Sequence, residues 1–450
     1  MDHSPLSAAA FKAYDVRGTV PDQINEPLAH AVGRAFVAVA GAASVVVGHD
    51  MRPSSPGLAA AFAEGATRAG ADVVMIGLCS TDGLYFASGH LARPGVMFTA
   101  SHNPAQYNGI KMCREFAQPI GMETGLAEIR DLALGPALPD ADRIGEITHL
   151  DVLPAYADHL RSLAPVAGRR LNVVVDAGNG MAGHTAPAVL GTLDLAVTEM
   201  YYDLDGTFPN HEANPIDPDN LRDLQGKVRE TGADIGLAFD GDADRCFLVD
   251  ELGDLVDPSA LTALIAAREL ARNPGSTVIH NLITSRAVPE IVTELGGRPV
   301  RTRVGHSFIK AQMAQTDAVF GGEHSGHFYF RDFWRADSGM LAALHALSAL
   351  AGSDLPLSQL LAPYRRYVAS GEINSEVADQ EAATARIAAA YADYDLDHLD
   401  GLTVSAQQWW FNVRASNTEP LLRLNAEGAD EATMVAVRDA VLSLIRKDPS

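Results

Sequence analysis

The chain has 450 residues, of which 47% are hydrophobic and 20% are charged, and its net charge is −23. A length well beyond the roughly 250–300 residues of one hydrophobic core predicts about three or four domains. The acidic charge argues against nucleic acid or an anionic membrane as a partner, because either would need a basic face. No apolar run approaches the roughly 18 residues of a membrane span, and the first residues carry no secretory signal. Together with only three cysteines, these features lead us to expect a cytoplasmic protein.

The first segment alternates short apolar runs with an alanine-rich helical pattern. Strands are predicted over 43–48 and 72–76, on either side of a helix that begins at Ser55-Pro56 and ends at Arg68. A further buried strand is predicted over 94–98. This spacing is typical of βαβ units and favours a mostly parallel sheet.

The same alternation restarts in the second and third segments. Apolar strands are predicted over 171–175, 235–239 and 277–279. The last of these lies between predicted helices over 257–271 and 286–295. Both segments are therefore expected to be α/β in class.

The last segment differs, because short alternating strands predominate in it. Strands are predicted over 373–377, 409–413 and 421–425, with two helices, which indicates a small α+β sheet. We therefore predict three α/β domains with mixed sheets, followed by a C-terminal α+β domain. Their boundaries are expected at 1–148, 149–253, 254–365 and 366–450.

Ser101 is the first candidate for chemistry. It follows the buried strand 94–98 in a loop of small polar residues, where Pro104 prevents a simple continuation of strand or helix. A serine on a tight loop at the end of a strand presents its hydroxyl outward, as a nucleophile requires. This pattern alone also fits an ordinary loop, so the hypothesis depends on the other polar loops of the chain.

The loop 240–245 is the strongest signal for a metal site. Asp240, Asp242 and Asp244 alternate after a buried strand, and Gly241 allows the chain to curl so that the carboxylates can converge. Oxygen ligands of this kind suit Mg²⁺. A solvated acidic turn is the alternative, although three neighbouring carboxylates repel one another unless a cation or protons neutralise them.

Other loops carry groups suited to a phosphorylated sugar. The loop 414–420 combines an arginine, hydroxyls, an amide and backbone N–H groups, which indicates a phosphate-binding loop, with a plain turn as the alternative. The loop 321–327 offers a carboxylate, a hydroxyl and imidazoles that can bind sugar hydroxyls. Metal ligation by His324 and His327 is less favoured, because no third ligand is evident. The glycine-rich turn 176–183 can cradle a phosphate, but tight strand–helix packing is favoured.

Taken together, these loops resemble those of the α-D-phosphohexomutase family, in its phosphomannomutase/phosphoglucomutase branch. The resemblance spans the whole chain, with the motifs in the family's order. It implies three α/β domains and a fourth α+β domain around a central cleft. It also implies a phosphorylated Ser101, with Mg²⁺ held by Asp240, Asp242, Asp244 and an oxygen of that phosphoserine.

The remaining site residues are implied by the same resemblance. Catalytic roles fall to Ser101, Lys111, Arg245 and His306. Substrate binding is implied for Tyr14, Arg17, Lys111, Arg245, His306, Glu323, Ser325, His327, Arg414, Ser416, Asn417 and Thr418. The cations among these residues would supply the local positive field that the acidic chain otherwise lacks.

The implied reaction interconverts mannose 6-phosphate and mannose 1-phosphate through a phosphoserine enzyme and a hexose 1,6-bisphosphate. The bisphosphate also serves as the activator that phosphorylates Ser101, and glucose phosphates are further candidate substrates. Phosphoglucomutase and phosphoglucosamine mutase are the alternatives within the family. The opening segment 11–18 fits the mannose/glucose branch better. We expect a monomer or a homodimer.

Two alternatives belong to other classes of protein. In a Mg²⁺-dependent sugar phosphatase, water would take the phosphoryl group. A sugar-phosphate-binding protein without activity is disfavoured, because it would not need a phosphorylatable serine.

Overall fold

The computed structural model describes residues 7–415 and 421–446, and the side chain of His306 lies outside the described part. The chain divides into two compact units. Unit 1 comprises residues 1–256 and 325–360, and unit 2 comprises residues 257–324 and 361–450. None of the described helices is both long and apolar enough to pass through a membrane.

The first part of unit 1 is built around a mixed sheet. Its elements are β1 (Val16–Thr19), α1 (Glu26–Ala40), β2 (Ser44–His49), α2 (Ser55–Arg68), β3 (Asp72–Leu78), α3 (Thr81–Leu91), β4 (Gly95–Phe98), β5 (Tyr107–Arg114), β6 (Gln118–Pro119), α4 (Leu126–Leu134) and β7 (Ile147–His149). The described strands follow the order β1-β5-β4-β2-β3-β7, with β6 beside β5. β4, β2, β3 and β7 are parallel, whereas β5 is antiparallel to β4 and β1. Because β2 and β4 are parallel neighbours, the loops that follow them lie at the same edge of the sheet.

The second part of unit 1 contains another mixed sheet. Its elements are α5 (Leu153–Leu163), β8 (Leu171–Asp176), α6 (Ala182–Leu190), β9 (Leu195–Met200), α7 (Arg222–Thr231), β10 (Ile235–Phe239), β11 (Cys246–Asp250) and β12 (Leu255–Val256). The described strands follow the order β12-β11-β10-β8-β9. β9, β8 and β10 are parallel, and β11 and β12 are antiparallel to their neighbours. The wholly buried β10 therefore leads into the loop 240–245 at the carboxyl edge of the sheet.

The third part of the chain contributes to both units. Its elements in unit 2 are α8 (Pro258–Arg272), β13 (Thr277–Asn281), α9 (Ala287–Glu294), β14 (Arg298–Thr302), α10 (His306–Thr316) and β15 (Phe320–Gly322). β14 and β15 are both parallel to β13. Its elements in unit 1 are β16 (Phe328–Phe330), β17 (Ala336–Asp337), α11 (Gly339–Ala351) and α12 (Leu357–Leu360). β16 and β17 are antiparallel.

The C-terminal part of unit 2 is an antiparallel sheet with two helices. Its elements are β18 (Val368–Glu376), α13 (Gln380–Ala390), β19 (Asp395–Asp397), β20 (Leu402–Ser405), β21 (Trp409–Ala415), β22 (Leu421–Gly428) and α14 (Glu431–Ile445). The described strands follow the order β18-β22-β21-β20-β19. Buried residues of α13 and α14 share one core with the sheet, which confirms the predicted α+β segment.

The predicted alternation of strands and helices is confirmed, and the differences concern where elements end. β10 has the predicted bounds, and α2 begins and ends at the predicted residues. The strand predicted over 373–377 is longer, because β18 begins at Val368 and pairs with β22 across a register shift between Ala369 and Glu372. The added residues run Val-Ala-Ser-Gly-Glu and none of them is buried, so they carry no apolar alternation that would mark a strand.

Phe411 offers a test of the C-terminal core. It is fully buried, and its ring lies 5.0 Å from Tyr391 and 5.9 Å from Trp409 between centroids. We expect Phe411→Ala to lower the free energy of unfolding of unit 2 by about 3–5 kcal/mol, because it leaves a cavity. Urea unfolding followed by tryptophan fluorescence measures this loss. Leu399→Ala is the control, since this side chain is 41% exposed, and an unchanged midpoint for Phe411→Ala would contradict the described core.

Candidate active site

The loop after β4 places Ser101 in the left-handed region of backbone space, at φ 51°. The residue is buried. Its Oγ donates a hydrogen bond to Oδ2 of Asp240 at 2.8 Å and lies 3.2 Å from Nδ1 of His102. Burial, followed by the charges of Arg245 and Arg17, lowers the pKa of His102 to about 2, so its ring is neutral. A ring with so low a pKa can hydrogen-bond the serine hydroxyl but is a poor acceptor of its proton. The sequence patterns did not single this histidine out.

Arg52 holds the loop of Ser101 in place, and the sequence patterns missed it as well. Its guanidinium is fully buried and lies 3.2 Å from the carboxylate of Asp50. It donates at 2.6–3.0 Å to backbone carbonyls of the loop, namely those of Ser101, Asn103, Pro104 and Tyr107. A buried guanidinium is stable only when its donors are paired, so these bonds fix the loop as well as the arginine. The sequence feature that could have identified Arg52 is its position just after β2, because the loops after β2 and β4 lie at the same edge of the sheet.

The aspartates of the loop 240–245 are buried. Asp240 and Asp242 are fully buried and Asp244 is 1% exposed, which excludes a solvated acidic turn. Nζ of Lys111 lies 2.7 Å from both Asp242 and Asp244. Nε of Arg245 donates to Asp240 at 2.9 Å. The structure thus brings the predicted nucleophile, the three aspartates and two predicted cations together within unit 1.

The residues present fit a hard divalent cation. The three aspartates each offer an oxygen, and these oxygens lie within 4.8 Å of one another. Among the described residues, Oδ1 of Asp242 and Oδ1 of Asp244 are buried without a hydrogen-bond partner. Buried carboxylate oxygens without donors need a positive charge nearby, and a set of oxygen ligands suits Mg²⁺.

Proton affinities in this cluster follow from burial and charge. Burial raises the pKa of Asp240 to about 7, against the lowering effect of Arg245 and with further raising by the other two aspartates. Burial also acts to raise the pKa of Asp242, but the charge of Lys111 brings it far below its usual range. Burial acts to lower the pKa of Lys111, but the charges of Asp242 and Asp244 outweigh this effect and raise the pKa well above its usual range. This lysine therefore stays charged.

Arg17 is joined to the loop of Ser101 through a neighbouring residue. Its guanidinium donates to Oδ1 of Asn103 at 2.8 Å and to Asp15 at 2.5 Å. Arg17 lies on β1, and the half-buried Tyr14 lies just before this strand. The predicted Arg17 therefore contributes positive charge beside Ser101, in a position fixed by an amide and a carboxylate.

Ser325 and His327 lie beside the aspartate cluster in unit 1. A backbone bridge pairs His327 with Arg245. Oγ of Ser325 lies 3.0 Å from Nδ1 of His327, and Nε2 of the same ring lies 3.6 Å from Asp244. Ligand atoms of Asp244, His327 and Asp337 also lie within 4.8 Å of one another. The structure thus places two predicted sugar-binding residues beside the predicted metal-binding aspartates.

In unit 2, Glu323 lies at the end of β15 and is buried. Its Oε1 accepts a hydrogen bond from the side chain of Asn281 at 3.2 Å and one from the backbone N–H of Gly305 at 3.3 Å. Burial lowers the pKa of the adjacent His324, and the charge of Glu372 opposes this effect. Nδ1 of His324 is buried, with no hydrogen-bond partner among the described residues.

Arg414 lies at the end of β21, directly opposite Arg423 on β22. Like charges in this position repel. Glu372 on β18 offsets this repulsion. Its carboxylate accepts a hydrogen bond from Arg414 at 3.0 Å and another from Arg423 at 3.3 Å. Arg423 was not among the predicted residues, and its spacing from the loop 414–420 alone gave no reason to include it.

Some predicted site residues lie outside the described part. These are the side chain of His306 and the residues Ser416, Asn417 and Thr418. The backbone of His306 begins α10.

The glycine-rich turn 176–183 packs against the loop of the aspartates. The backbone N–H of Met181 donates to the carbonyl of Gly241 at 2.9 Å. A Cβ added at Gly180 would lie 2.7 Å from that same carbonyl oxygen. This close approach supports the favoured packing interpretation of the turn.

Four family models match the chain. They are described as phosphoglucomutase/phosphomannomutase alpha/beta/alpha domain I over residues 8–134, domain II over 154–253, domain III over 257–367 and the C-terminal domain over 372–444.

Full-length relatives and a solved structure agree with these matches. A protein of Xanthomonas campestris pv. campestris named "Phosphohexose mutases" is 42% identical, over 97% of this chain and 99% of its own. A phosphomannomutase of Escherichia coli is 41% identical over the same shares. The crystal structure of a phosphoglucomutase/phosphomannomutase family protein from Burkholderia thailandensis superposes with a TM-score of 0.90, at 32% identity and over 99% of both chains.

Gly241 provides a test of the close packing at this site. A Cβ at this position would clash with the backbone carbonyl oxygen of Ser101. We expect Gly241→Ala to lower the melting temperature by several degrees, since backbone atoms must shift. Gly226→Ala is the matched control, because no described atom lies within 4 Å of its added Cβ and it lies inside α7. It should be neutral or stabilising by about 1 kcal/mol. Equal melting temperatures for the two variants would contradict the described approach of the loops.

Proposed function

Because this chain belongs to the phosphoglucomutase/phosphomannomutase family, we propose that it is a phosphomannomutase, which interconverts mannose 6-phosphate and mannose 1-phosphate. The observation that carries the proposal is the hydrogen bond from Ser101 to Asp240 inside a buried cluster of aspartates. A serine at a candidate metal site, with the cations of Lys111 and Arg245 beside it, suits phosphoryl transfer. Relatives named phosphomannomutase support the same assignment.

In the proposed reaction, phosphorylated Ser101 gives its phosphoryl group to the free 1- or 6-hydroxyl of a hexose phosphate. The bond from phosphorus to the serine Oγ breaks as a bond to the sugar oxygen forms, and the hydroxyl proton passes to a base. His306 is the candidate for this base, whereas Lys111, which stays charged, is a candidate for donating a proton or positioning the substrate. The resulting hexose 1,6-bisphosphate turns round and returns its other phosphoryl group to Ser101. The same bisphosphate is the proposed activator that first phosphorylates the serine.

Mg²⁺ is the proposed resident cation. Asp240, Asp242 and Asp244 would hold it, together with an oxygen of phosphorylated Ser101. When bound, Mg²⁺ supplies positive charge that stabilises the transferring phosphoryl group. The chain itself also supplies positive charge, because the Lys111 side chain stays charged beside the aspartates.

The proposed substrate-binding residues share polar or charged side chains suited to phosphate and sugar hydroxyls. They are Tyr14, Arg17, Lys111, Arg245, His306, Glu323, Ser325, His327, Arg414, Ser416, Asn417 and Thr418. Arg414 and the hydroxyl and amide residues of its loop would hold the phosphate that does not react.

Four domains are proposed, with boundaries at 1–148, 149–253, 254–365 and 366–450. The four family-model matches support this division, since each falls almost wholly within one domain. A cytoplasmic location is also proposed, because the three cysteines are free and buried, which suits a reducing compartment. The proposed oligomeric state is a monomer or a homodimer.

Ser101→Ala tests the central step. With Mg²⁺ and a trace of hexose 1,6-bisphosphate, phosphorus NMR should show wild-type protein converting mannose 1-phosphate to the 6-phosphate, with a lower kcat/KM for glucose 1-phosphate. The variant should lose at least about 1,000-fold in rate, because the group that carries the phosphoryl is gone. Ser162→Ala, a change at an exposed serine, should leave turnover unchanged.

Other outcomes of this assay would redirect the assignment. A higher kcat/KM for glucose 1-phosphate would make the protein a phosphoglucomutase. Release of inorganic phosphate alone would instead identify a sugar phosphatase. Full turnover by Ser101→Ala would refute the phosphoserine mechanism.

Asp242→Asn tests the metal site. Removing a hydrogen-bond partner of a metal ligand typically weakens metal binding by about 10-fold or more. Removing the charge of a proposed ligand itself should have a larger effect, so we expect the Mg²⁺ concentration needed for half-maximal turnover to rise by more than about 10-fold. Excess EDTA should abolish wild-type turnover, and added Mg²⁺ should restore it. Asp131→Asn is the control, because this carboxylate is on the surface. A wild-type enzyme that keeps its activity in EDTA would disprove the magnesium requirement.

A further inference from the structure

Thr81 contacts the aspartate cluster from a helix that no sequence motif connected with it. It is the first residue of α3 and is fully buried. Its Oγ1 donates a hydrogen bond to Oδ2 of Asp242 at 2.6 Å, and its backbone N–H donates to the carbonyl of Asp242 at 3.0 Å. The two bonds hold both the side chain and the backbone of this aspartate.

The bond from Thr81 determines which oxygen of Asp242 is available to a cation. Oδ2 accepts from Thr81 and from Lys111, the latter at 2.7 Å. Oδ1 is buried and has no hydrogen-bond partner among the described residues. With Oδ2 occupied by two donors, the carboxylate cannot rotate without breaking both bonds, and Oδ1 stays the oxygen that is left for a cation.

Asp82, the residue after Thr81, fixes the start of the helix on which Thr81 lies. This fully buried carboxylate accepts hydrogen bonds from the hydroxyls of Tyr156 at 2.7 Å and Ser338 at 2.6 Å, and from Ser80. Tyr156 lies on α5, and Ser338 caps the N-terminus of α11. The first turn of α3 is therefore fixed to two other helices of unit 1.

We propose that Thr81 is a positioning residue that orients Asp242 for the divalent cation. This inference rests on the metal site of the proposed function. A hydrogen-bond partner that orients a metal ligand typically changes metal affinity by about 10–100-fold when it is removed. The hydroxyl of Thr81 has this relation to Asp242, and its methyl group takes no part in it.

The test measures metal binding without turnover. Mn²⁺ replaces Mg²⁺ as the probe, and electron paramagnetic resonance of free Mn²⁺ gives the dissociation constant for unphosphorylated full-length protein without substrate. Thr81→Val keeps the shape of the side chain and removes the hydroxyl, so the dissociation constant should rise about 10-fold. Thr81→Ser keeps the hydroxyl and should stay within about twofold of wild type.

A matched control and a second variant separate orientation from general damage. Thr185→Val removes a hydroxyl from another buried helical threonine, which bonds to the carbonyl of Met181 at 3.2 Å, and it should leave Mn²⁺ affinity unchanged. Thr81→Ala should weaken Mn²⁺ binding as Thr81→Val does, and it cannot overpack the site. In turnover assays, saturating Mg²⁺ should restore most of the activity of Thr81→Val, which a structural defect would not allow.

The outcomes separate this inference from the proposed function. Wild-type affinity in both Thr81→Val and Thr81→Ala overturns the role of Thr81 and leaves the metal site standing. Weakening by Thr81→Ser equal to that by Thr81→Val also overturns it, because the hydroxyl would then not matter. Absence of Mn²⁺ binding by the wild-type protein, both unphosphorylated and after phosphorylation by hexose 1,6-bisphosphate, overturns the metal site itself.

Discussion

Burial of three carboxylates in one short loop is the constraint on which much of unit 1 depends. Such groups repel one another, and each loses hydration worth several kcal/mol when it leaves water. The chain offsets this with the cations of Lys111 and Arg245, and with hydroxyl donors from Ser101 and Thr81. The carboxylate oxygens that stay without donors among the described residues favour a further cation. The candidate nucleophile is thus part of the arrangement that stabilises the aspartates.

This arrangement requires rigid loops, and the fold supplies them from parallel strand ends. β2 and β4 are neighbours, so the loops after them meet, and Arg52 from one loop binds carbonyls of the other. The buried Asp50–Arg52 pair is therefore a brace for backbone that would otherwise be free at a sheet edge. α3 braces the aspartate loop in a similar way, through Thr81 and the network around Asp82.

In unit 2 the like charges that lie close together are positive rather than negative. Arg414 and Arg423 face each other across neighbouring strands, and Glu372 neutralises part of their charge. An anion near these guanidiniums would meet a local positive field, although the chain as a whole carries −23. Arrangements of this kind allow a strongly acidic protein to hold a phosphate. The sequence indicated a cationic loop here, but not that a second arginine stands opposite the first.

The sequence by itself determined the alternation of strands and helices and the kinds of residue placed where strands end. Apolar runs identified β4 and β10, and the acidic spacing after β10 identified its loop, because such patterns are local properties of the chain. The roles of His306, Ser416, Asn417 and Thr418 stay predictions. Tertiary structure alone decided that Ser101 meets Asp240, 139 residues away, and that Thr81 meets Asp242, 161 residues away. Local sequence does not distinguish one buried threonine or arginine from another, since packing between distant elements sets its partners.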